Sequence, residues 1–291
     1  MEFLQPATWP EALAMKAAHP AAMPISGGTD LMVELNLDRH RPVAILDLTR
    51  IRELGEWGAE AERMRIGAGV TYTRLIDELG DRLPGLALAS RTVGSPQIRN
   101  RGTVGGNLGT ASPAGDAHPA LLAAEAVVEL ESTSGKRRVP VREFFVGPKR
   151  SVRRDDELIA GFLIQPARGP QQFSKVGTRN AMVIAVCSFS LSFDPAVRRV
   201  GTGIGSAAPT PIHAPEAERF LEGVLDEGNL WDSPAPLDTA AVTRFGELAA
   251  GAAKPIDDLR GTADYRRHAI SVLARRCLAW CWDEYRSPRP R

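Results

Sequence analysis

The stretch RNRGTVGGNLGTASPAGDAHPALL, Arg99 to Leu122, largely decides how the chain folds and what it binds. Five glycines stand within the fourteen residues from Gly102 to Gly115, and an apolar run follows. Glycine leaves backbone amides uncovered by a Cβ atom, and amides that converge beside hydroxyl groups can cradle phosphate oxygens. The residues that offer such groups here are Thr103, Gly105, Gly106 and Asn107.

Two polar residues stand where the apolar run begins. Asp116 precedes AHPALLAAEA, which has the composition of a helix, so we expect it to cap that helix and to offer a carboxylate to ligand hydroxyls. His118 has no second titratable partner nearby in the sequence, which favours a packed or solvent-facing histidine over an acid–base catalyst.

A second glycine loop stands near the amino terminus, in ISGGTDLM from Ile25 to Met32. Gly27 and Gly28 follow a predicted strand, and Thr29 adds a hydroxyl donor. One such pair alone is more typical of a tight turn. Two such loops in one chain favour a single extended ligand that bears phosphates.

Composition excludes several classes of protein. The 291 residues are 43% hydrophobic and 24% charged with a net charge of +1, which argues against disorder, nucleic-acid binding and a membrane surface. There is no basic segment followed by an apolar block at the amino terminus, and no apolar run long enough for a membrane span. Three cysteines are typical of a reducing compartment, so we expect a cytoplasmic protein.

The order of predicted strands and helices divides the chain. Residues 1–55 indicate a small β, α and β layer, and residues 56–170 a second layer of strands and helices. The third part, residues 171–291, starts with strands and continues with helices predicted near 214–222, 238–250 and 264–285. The final RSPRPR is expected to be a disordered end.

The two glycine loops together resemble those of the FAD-binding (medium) subunits of molybdenum hydroxylases, the group that contains xanthine dehydrogenase and aerobic carbon monoxide dehydrogenase. Further segments resemble family landmarks in the family order, among them REFFVG, DELIAGFLIQP, FSKVGTRNAMVIAV and DDLRGTADYRRHAISVLARR. The resemblance implies an α+β fold with an FAD-binding domain of the vanillyl-alcohol-oxidase and MurB (PCMH) type in two subdomains, residues 1–170. It also implies a carboxyl-terminal domain, residues 171–291, with a three-stranded antiparallel sheet and helices.

The resemblance further implies which residues bind FAD. The first loop would surround the diphosphate with Ile25, Ser26, Gly27, Gly28, Thr29, Asp30 and Leu31, and the second loop would add Thr103, Gly105, Gly106 and Asn107. Asp116 would bind a hydroxyl-bearing part of the cofactor, and Lys175 would lie near the isoalloxazine ring. Val93 and Leu158 fall at positions that line the cofactor. No side chain is expected to act as a catalytic acid or base, and no metal ligand is expected.

The implied function is that of an electron-transfer oxidoreductase subunit. Electrons would come from the 2Fe-2S clusters of a small subunit and leave to an external acceptor, while a large subunit with the molybdenum cofactor would hydroxylate the substrate. The usual family assembly is a dimer of heterotrimers. Two alternatives remain open: a self-sufficient FAD-dependent oxidase or reductase, and a non-catalytic nucleotide-binding assembly module.

Three weaker signals have ordinary explanations. Gly203 to Ala208 formally matches the dinucleotide fingerprint G-x-G-x-x-A, but Pro209 prevents the helix that must follow, so we expect a glycine-rich strand. Cys277 and Cys281 share one face of a predicted helix, where packing is favoured over a metal site. Three basic residues flank the second loop and could balance diphosphate charge, form a solvated rim or contact a partner: Arg91, Arg99 and Arg101.

Overall fold

A computed structural model describes residues 1–287; the last four residues of the RSPRPR tail lie outside this range. The chain begins with a three-stranded parallel sheet in the order β1-β3-β2. Its strands are β1 (Glu2–Leu4), β2 (Met23–Ile25) and β3 (Ala44–Asp47), and its helices are α1 (Trp9–Ala18) and α2 (Leu31–Asn36). A 3-10 turn, Arg52–Gly55, leads into the next layer.

The second layer is a five-stranded antiparallel sheet in the order β4-β5-β10-β6-β7. Its strands are β4 (Trp57–Glu60), β5 (Arg63–Gly67), β6 (Val127–Ser132), β7 (Gly135–Pro140) and β10 (Leu158–Ile164). Five helices separate β5 from β6: α3 (Tyr72–Leu79), α4 (Pro84–Arg91), α5 (Pro96–Arg101), α6 (Val104–Thr110) and α7 (Ala117–Ala123). The short elements α8 (Val141–Phe144), β8 (Phe145–Gly147) and β9 (Arg150–Ser151) precede β10.

The third part is a three-stranded antiparallel sheet in the order β11-β12-β13, followed by helices. The strands are β11 (Gln171–Val176), β12 (Cys187–Asp194) and β13 (Arg199–Gly205), with a 3-10 turn at Pro195–Val197. The helices are α9 (Pro215–Glu227), α10 (Thr239–Ala252) and α11 (Ala263–Arg286). The α+β class and the three-stranded antiparallel sheet are therefore confirmed. No helix within residues 1–287 is long and apolar enough to cross a membrane.

The alternation in the β12 sequence CSFSLSFD gives this sheet two different faces. Because successive side chains point to opposite faces of a strand, Phe189, Leu191 and Phe193 share one side, and they join the apolar core of the carboxyl-terminal helices. The serines of the other side pair in register with glycines of β13: Ser188 with Gly205, Ser190 with Gly203 and Ser192 with Gly201. We call this side the serine–glycine face.

The serine–glycine face packs against α7 at very short range. A Cβ atom on Gly201 would overlap the Ala123 carbonyl oxygen, and one on Gly203 would overlap the Pro119 carbonyl oxygen. Glycine is therefore required at both positions by close contact between backbones. The first three residues of the G-x-G-x-x-A match, Gly203 to Gly205, lie in β13, and its first glycine serves this contact between strand and helix.

Candidate cofactor site

The two glycine loops lie in direct contact. The first loop leaves β2 at Ile25, and a Cβ atom on Gly27 would overlap the Arg101 carbonyl oxygen and lie 2.9 Å from Gly102 Cα. Gly28 has a φ of +73°, a conformation that L side chains rarely adopt. Residues more than seventy positions apart in the sequence thus form one surface.

The glycines of the second loop have different roles. A Cβ atom on Gly105 would overlap the Ala68 backbone, so Gly105 is a buried packing position. Gly106 is exposed, and a Cβ atom there would meet only the Thr103 hydroxyl, at 3.0 Å. The Thr103 hydroxyl caps α6 by accepting a hydrogen bond from the Gly106 amide at 2.8 Å.

Asp116 does not cap α7 through its side chain, so the expected capping role is wrong. The carboxylate instead pairs with Lys175, with Nζ to Oδ2 at 2.6 Å, and accepts a hydrogen bond from the Thr92 hydroxyl at 3.2 Å. The Asp116 and Lys175 side chains are only 9% and 7% exposed. Burial raises the pKa of Asp116 above its ordinary value, and Lys175 and Thr92 oppose that shift.

This ion pair joins two parts of the chain. Asp116 stands at the start of α7, and Lys175 lies on β11, where it shares the serine–glycine face. Lys175 Nζ also donates to the Thr92 carbonyl oxygen at 3.1 Å. The pair therefore holds the third sheet in a fixed position beside the glycine loops.

Three buried polar atoms of this region have no hydrogen-bond partner: Tyr72 Oη, Asn107 Oδ1 and Asp116 Oδ1. A Cβ atom on Gly115 would lie 2.8 Å from Asn107 Oδ1, which places that oxygen against the residue before Asp116. Burying polar atoms without partners is unfavourable, so such atoms indicate a place where a ligand is expected. The unpartnered atoms and the joined glycine loops fit a polar, elongated cofactor such as FAD.

Tyr72 was not among the residues predicted from the sequence to bind the cofactor. It is the first residue of α3, it is 3% exposed, and its amide donates to the Gly102 carbonyl oxygen at 3.0 Å. The available signal was a tyrosine placed directly after the helix-capping Thr71, since a buried tyrosine hydroxyl normally needs a partner.

The remaining expected residues take varied positions. Asp30 is exposed at the start of α2 and makes no capping bond, and Val93 is half-buried against the amino-terminal core. Leu158 is fully buried at the start of β10, within the same core. The first-loop residues that are neither buried nor fully exposed are Ile25, Ser26, Gly27, Gly28, Thr29 and Leu31.

His118 lies beneath the second loop and is completely buried. Its ring nitrogens face two carbonyl oxygens, Ser112 O at 3.1 Å and Asn107 O at 3.2 Å, and its ring lies 4.6 Å from that of Phe145. Burial lowers the pKa of His118 to about 4, although both carbonyl partners favour the charged form. Of the two expected positions, packed or solvent-facing, His118 takes the packed one.

Arg99 and the two cysteines of α11 make contacts that stabilise the fold. Arg99 donates to the carbonyl oxygens of Arg91, Val93 and Gly94, so it stabilises the end of α4. Cys277 and Cys281 are fully buried in α11 among apolar residues of the carboxyl-terminal core. Among residues 1–287, no three histidine, cysteine or acidic side chains are grouped so that they could hold a metal ion.

The fold and the joined loops define an FAD-binding class of protein, and comparison with known families agrees. Residues 1–166 match the FAD-binding domain of molybdopterin dehydrogenases, and residues 172–281 match the carboxyl-terminal domain of the carbon monoxide dehydrogenase flavoprotein. The chain therefore belongs to the family of FAD-binding medium subunits of molybdenum hydroxylases, which are flavoprotein subunits of oxidoreductases.

Individual relatives match over nearly the whole chain. The xanthine dehydrogenase FAD-binding subunit of Escherichia coli O157:H7 is 30% identical over 283 residues, covering 94% of this chain and 93% of the relative. A structure of carbon monoxide dehydrogenase from Hydrogenophaga pseudoflava matches with a TM-score of 0.86 and 26% identity, covering 97% of both chains. Quinoline 2-oxidoreductase from Pseudomonas putida 86 shares the fold, with a TM-score of 0.88, 21% identity and 98% coverage of both chains.

Proposed function

We propose that this chain is the FAD-carrying electron relay of a molybdenum hydroxylase complex. It would take electrons from the 2Fe-2S clusters of a small subunit and deliver them to an external acceptor. A large subunit with the molybdenum cofactor would hydroxylate the substrate, in a cytoplasmic dimer of heterotrimers. The family matches and the relatives named as dehydrogenase subunits support this proposal.

The contact between the two glycine loops is the observation that carries the proposal. The Gly27 backbone touches that of Arg101 and Gly102, so both loops face one shared surface. A diphosphate that bridges them would meet hydroxyls and amides from both sides. Glycines that only allowed the chain to turn would not require two loops distant in sequence to approach so closely.

The residues of this chain have binding and orienting roles in the proposed function. FAD, when bound, supplies the redox chemistry, because a flavin can exchange electrons one or two at a time. Asp116 offers its free Oδ1 to ligand hydroxyls while its Oδ2 holds Lys175. We propose that Lys175 brings a positive charge from the third sheet toward the flavin ring system. We also propose that residues 1–170 and residues 171–291 form two separate domains.

The purified full-length chain tests the proposal directly. We expect a yellow protein that releases stoichiometric FAD on denaturation, and co-purification with a molybdenum-containing large subunit and a 2Fe-2S small subunit when the three are expressed together. Absence of flavin from freshly purified protein, and failure to bind added FAD, would exclude the relay and favour an assembly module. Oxidation of a small substrate by the isolated chain would favour a self-sufficient oxidase.

Stopped-flow reduction of the complex tests the electron path. We expect substrate to reduce the flavin only when the small subunit is present, because the relay receives electrons from that subunit's clusters. Flavin reduction at the same rate without the small subunit would contradict this order of transfer.

A further inference from the structure

Tyr72 occupies a position between the two glycine loops. A Cβ atom on Gly102 would lie 3.3 Å from Tyr72 Cδ2 and 3.4 Å from the Thr29 hydroxyl, so the tyrosine ring and the first-loop threonine flank the same glycine. The Tyr72 amide is bonded to the Gly102 carbonyl, and Thr71 forms a bridge with Thr103. The start of α3 is therefore fixed to the second loop, with the ring beside the first.

The three unpartnered oxygens of this region, on Tyr72, Asn107 and Asp116, indicate a chemical class of ligand. Asn107 Oδ1 can only accept hydrogen bonds, and so can Oδ1 of the Asp116 carboxylate, whose other oxygen pairs with Lys175, so both require a ligand that donates. Phosphate oxygens of a diphosphate carry no proton at neutral pH and cannot donate. Sugar-alcohol hydroxyls donate and accept, so a polyol chain can satisfy all three atoms.

The charges near Tyr72 favour the same class. Burial raises the pKa of Tyr72 well above its ordinary value, and the carboxylates of Asp116 and Asp30 lie close enough to raise it further. The hydroxyl therefore keeps its proton, and the carboxylates disfavour a second anion beside it. Lys175 is already paired with Asp116.

We propose that Tyr72 is a cofactor-contacting residue whose hydroxyl binds the ribityl hydroxyls of FAD, together with Asn107 and Asp116. This inference rests on the proposed function, since it assigns one part of the same cofactor. The hydroxyl is closed off from solvent, so residues around it must move for it to reach a ligand. Such movement is open to the part of the first loop from Asp30 onward, because no residue of α2 is buried and Asp30 makes no capping bond, while Gly27 stays in contact with Arg101.

Tyr72→Phe in the full-length chain tests the inference, since it keeps the ring and removes only the hydroxyl. FAD dissociation constants are measured by flavin fluorescence with flavin-stripped protein, and those of ADP by calorimetry. We expect roughly tenfold weaker FAD binding, a typical loss for one hydrogen bond, and unchanged ADP binding. The melting temperature without cofactor should stay equal or rise, because the variant no longer buries an unpartnered hydroxyl.

Tyr285→Phe is the matched control. The Tyr285 hydroxyl donates to the Trp231 carbonyl oxygen at 2.6 Å, in the carboxyl-terminal core. We expect this variant to lower the melting temperature and to leave FAD affinity unchanged. Tyr72→Phe should therefore weaken FAD binding without lowering the melting temperature, whereas Tyr285→Phe should lower the melting temperature without weakening FAD binding.

An FAD analogue that carries a hydroxyl-free chain in place of ribityl allows a double-mutant cycle, in which the Tyr72 hydroxyl and the ligand hydroxyls are removed separately and together. Wild type should bind the analogue less tightly than FAD, and Tyr72→Phe should lose less on the same change of ligand. Wild-type FAD affinity in Tyr72→Phe would overturn the inference, and so would equal weakening of FAD and ADP, which would move the contact to the diphosphate. Failure of the wild-type chain to bind FAD would instead contradict the proposed function.

Discussion

At the scale of single residues, Asp116 shows how one carboxylate can serve two partners. Its Oδ2 accepts bonds from Lys175 and Thr92, and its Oδ1 accepts none. A buried carboxylate that served only to hold the lysine would normally find partners for both oxygens. The free oxygen is the part of the residue that a ligand can use.

We predict that Asp116→Asn weakens FAD binding by about 1–3 kcal/mol, because the amide keeps the shape of the side chain but loses the charge that strengthens its hydrogen bonds. Titration of stripped protein with FAD measures the change. Asp264→Asn, on the exposed start of α11, is the control and should bind FAD like wild type. An unchanged dissociation constant in Asp116→Asn would remove Asp116 from the site.

His118 predicts a dependence of stability on pH. Its folded pKa of about 4 lies below the ordinary value of 6.5, so the unfolded chain binds the proton more readily. Its stabilising contribution is complete above pH 6.5 and is lost as the pH falls toward 4, by a total of about 3 kcal/mol.

Urea unfolding of wild type and His118→Gln at several pH values checks this dependence. The variant should lose less stability than wild type between pH 6.5 and 4, while His268→Gln, at an exposed position of α11, should lose as much as wild type. Parallel pH curves for wild type and His118→Gln would show that the histidine does not cause the loss.

At the scale of elements, the first loop depends on a single close approach. Gly27 has no room for a Cβ atom because the Arg101 carbonyl oxygen lies there, and this oxygen belongs to backbone that cannot rotate aside. This contact holds the end of β2 against the end of α5, and it depends on the positions of both elements.

We predict that Gly27→Ala strongly reduces FAD content, because the added methyl group separates the two loops. Gly58→Ala in β4, where a Cβ atom meets nothing within 4 Å, is the control and should retain the wild-type content. The ratio of flavin to protein absorbance in purified samples measures the effect. Full flavin content in Gly27→Ala would show that loop contact is not needed for binding.

The sequence predicts some elements closely and misses particular contacts. Helix α11, expected near 264–285, spans Ala263–Arg286, because a capping Thr262 and a long run of helix formers define it locally. The Asp116 pairing could not be predicted, since Lys175 lies 59 residues away and only the folded sheet brings it near. Tyr72 was missed for a similar reason, because its unpartnered hydroxyl is a property of its surroundings.

At the scale of the whole molecule, the serine–glycine face determines how the third sheet meets the rest of the chain. The β13 glycines carry no Cβ atom, so β13 can approach the carbonyl groups of α7 directly. The opposite face, with Phe189 and Phe193, packs on the helices that follow. The sheet is thus covered on both sides, and Lys175 is fixed in position by its strand.

We predict that Gly203→Ala destabilises the protein by about 1–3 kcal/mol, because a methyl group there overlaps the Pro119 carbonyl and forces the sheet away from α7. Gly223→Ala in α9, where a Cβ atom has open space, should instead stabilise it by up to about 1 kcal/mol. Denaturant unfolding measures both changes. Equal stability of Gly203→Ala and wild type would show that the contact yields easily.

The ion pair across this contact has a consequence for biosynthesis. Asp116 is made early during translation, but its buried partner Lys175 is made later, on β11, which pairs with β12 as β12 pairs with β13. A nascent chain still attached to the ribosome near residue 170 would have both glycine loops and an unneutralised carboxylate. Stable insertion of the coenzyme should therefore follow the synthesis of β13, and fragments that end before β13 should accumulate colourless.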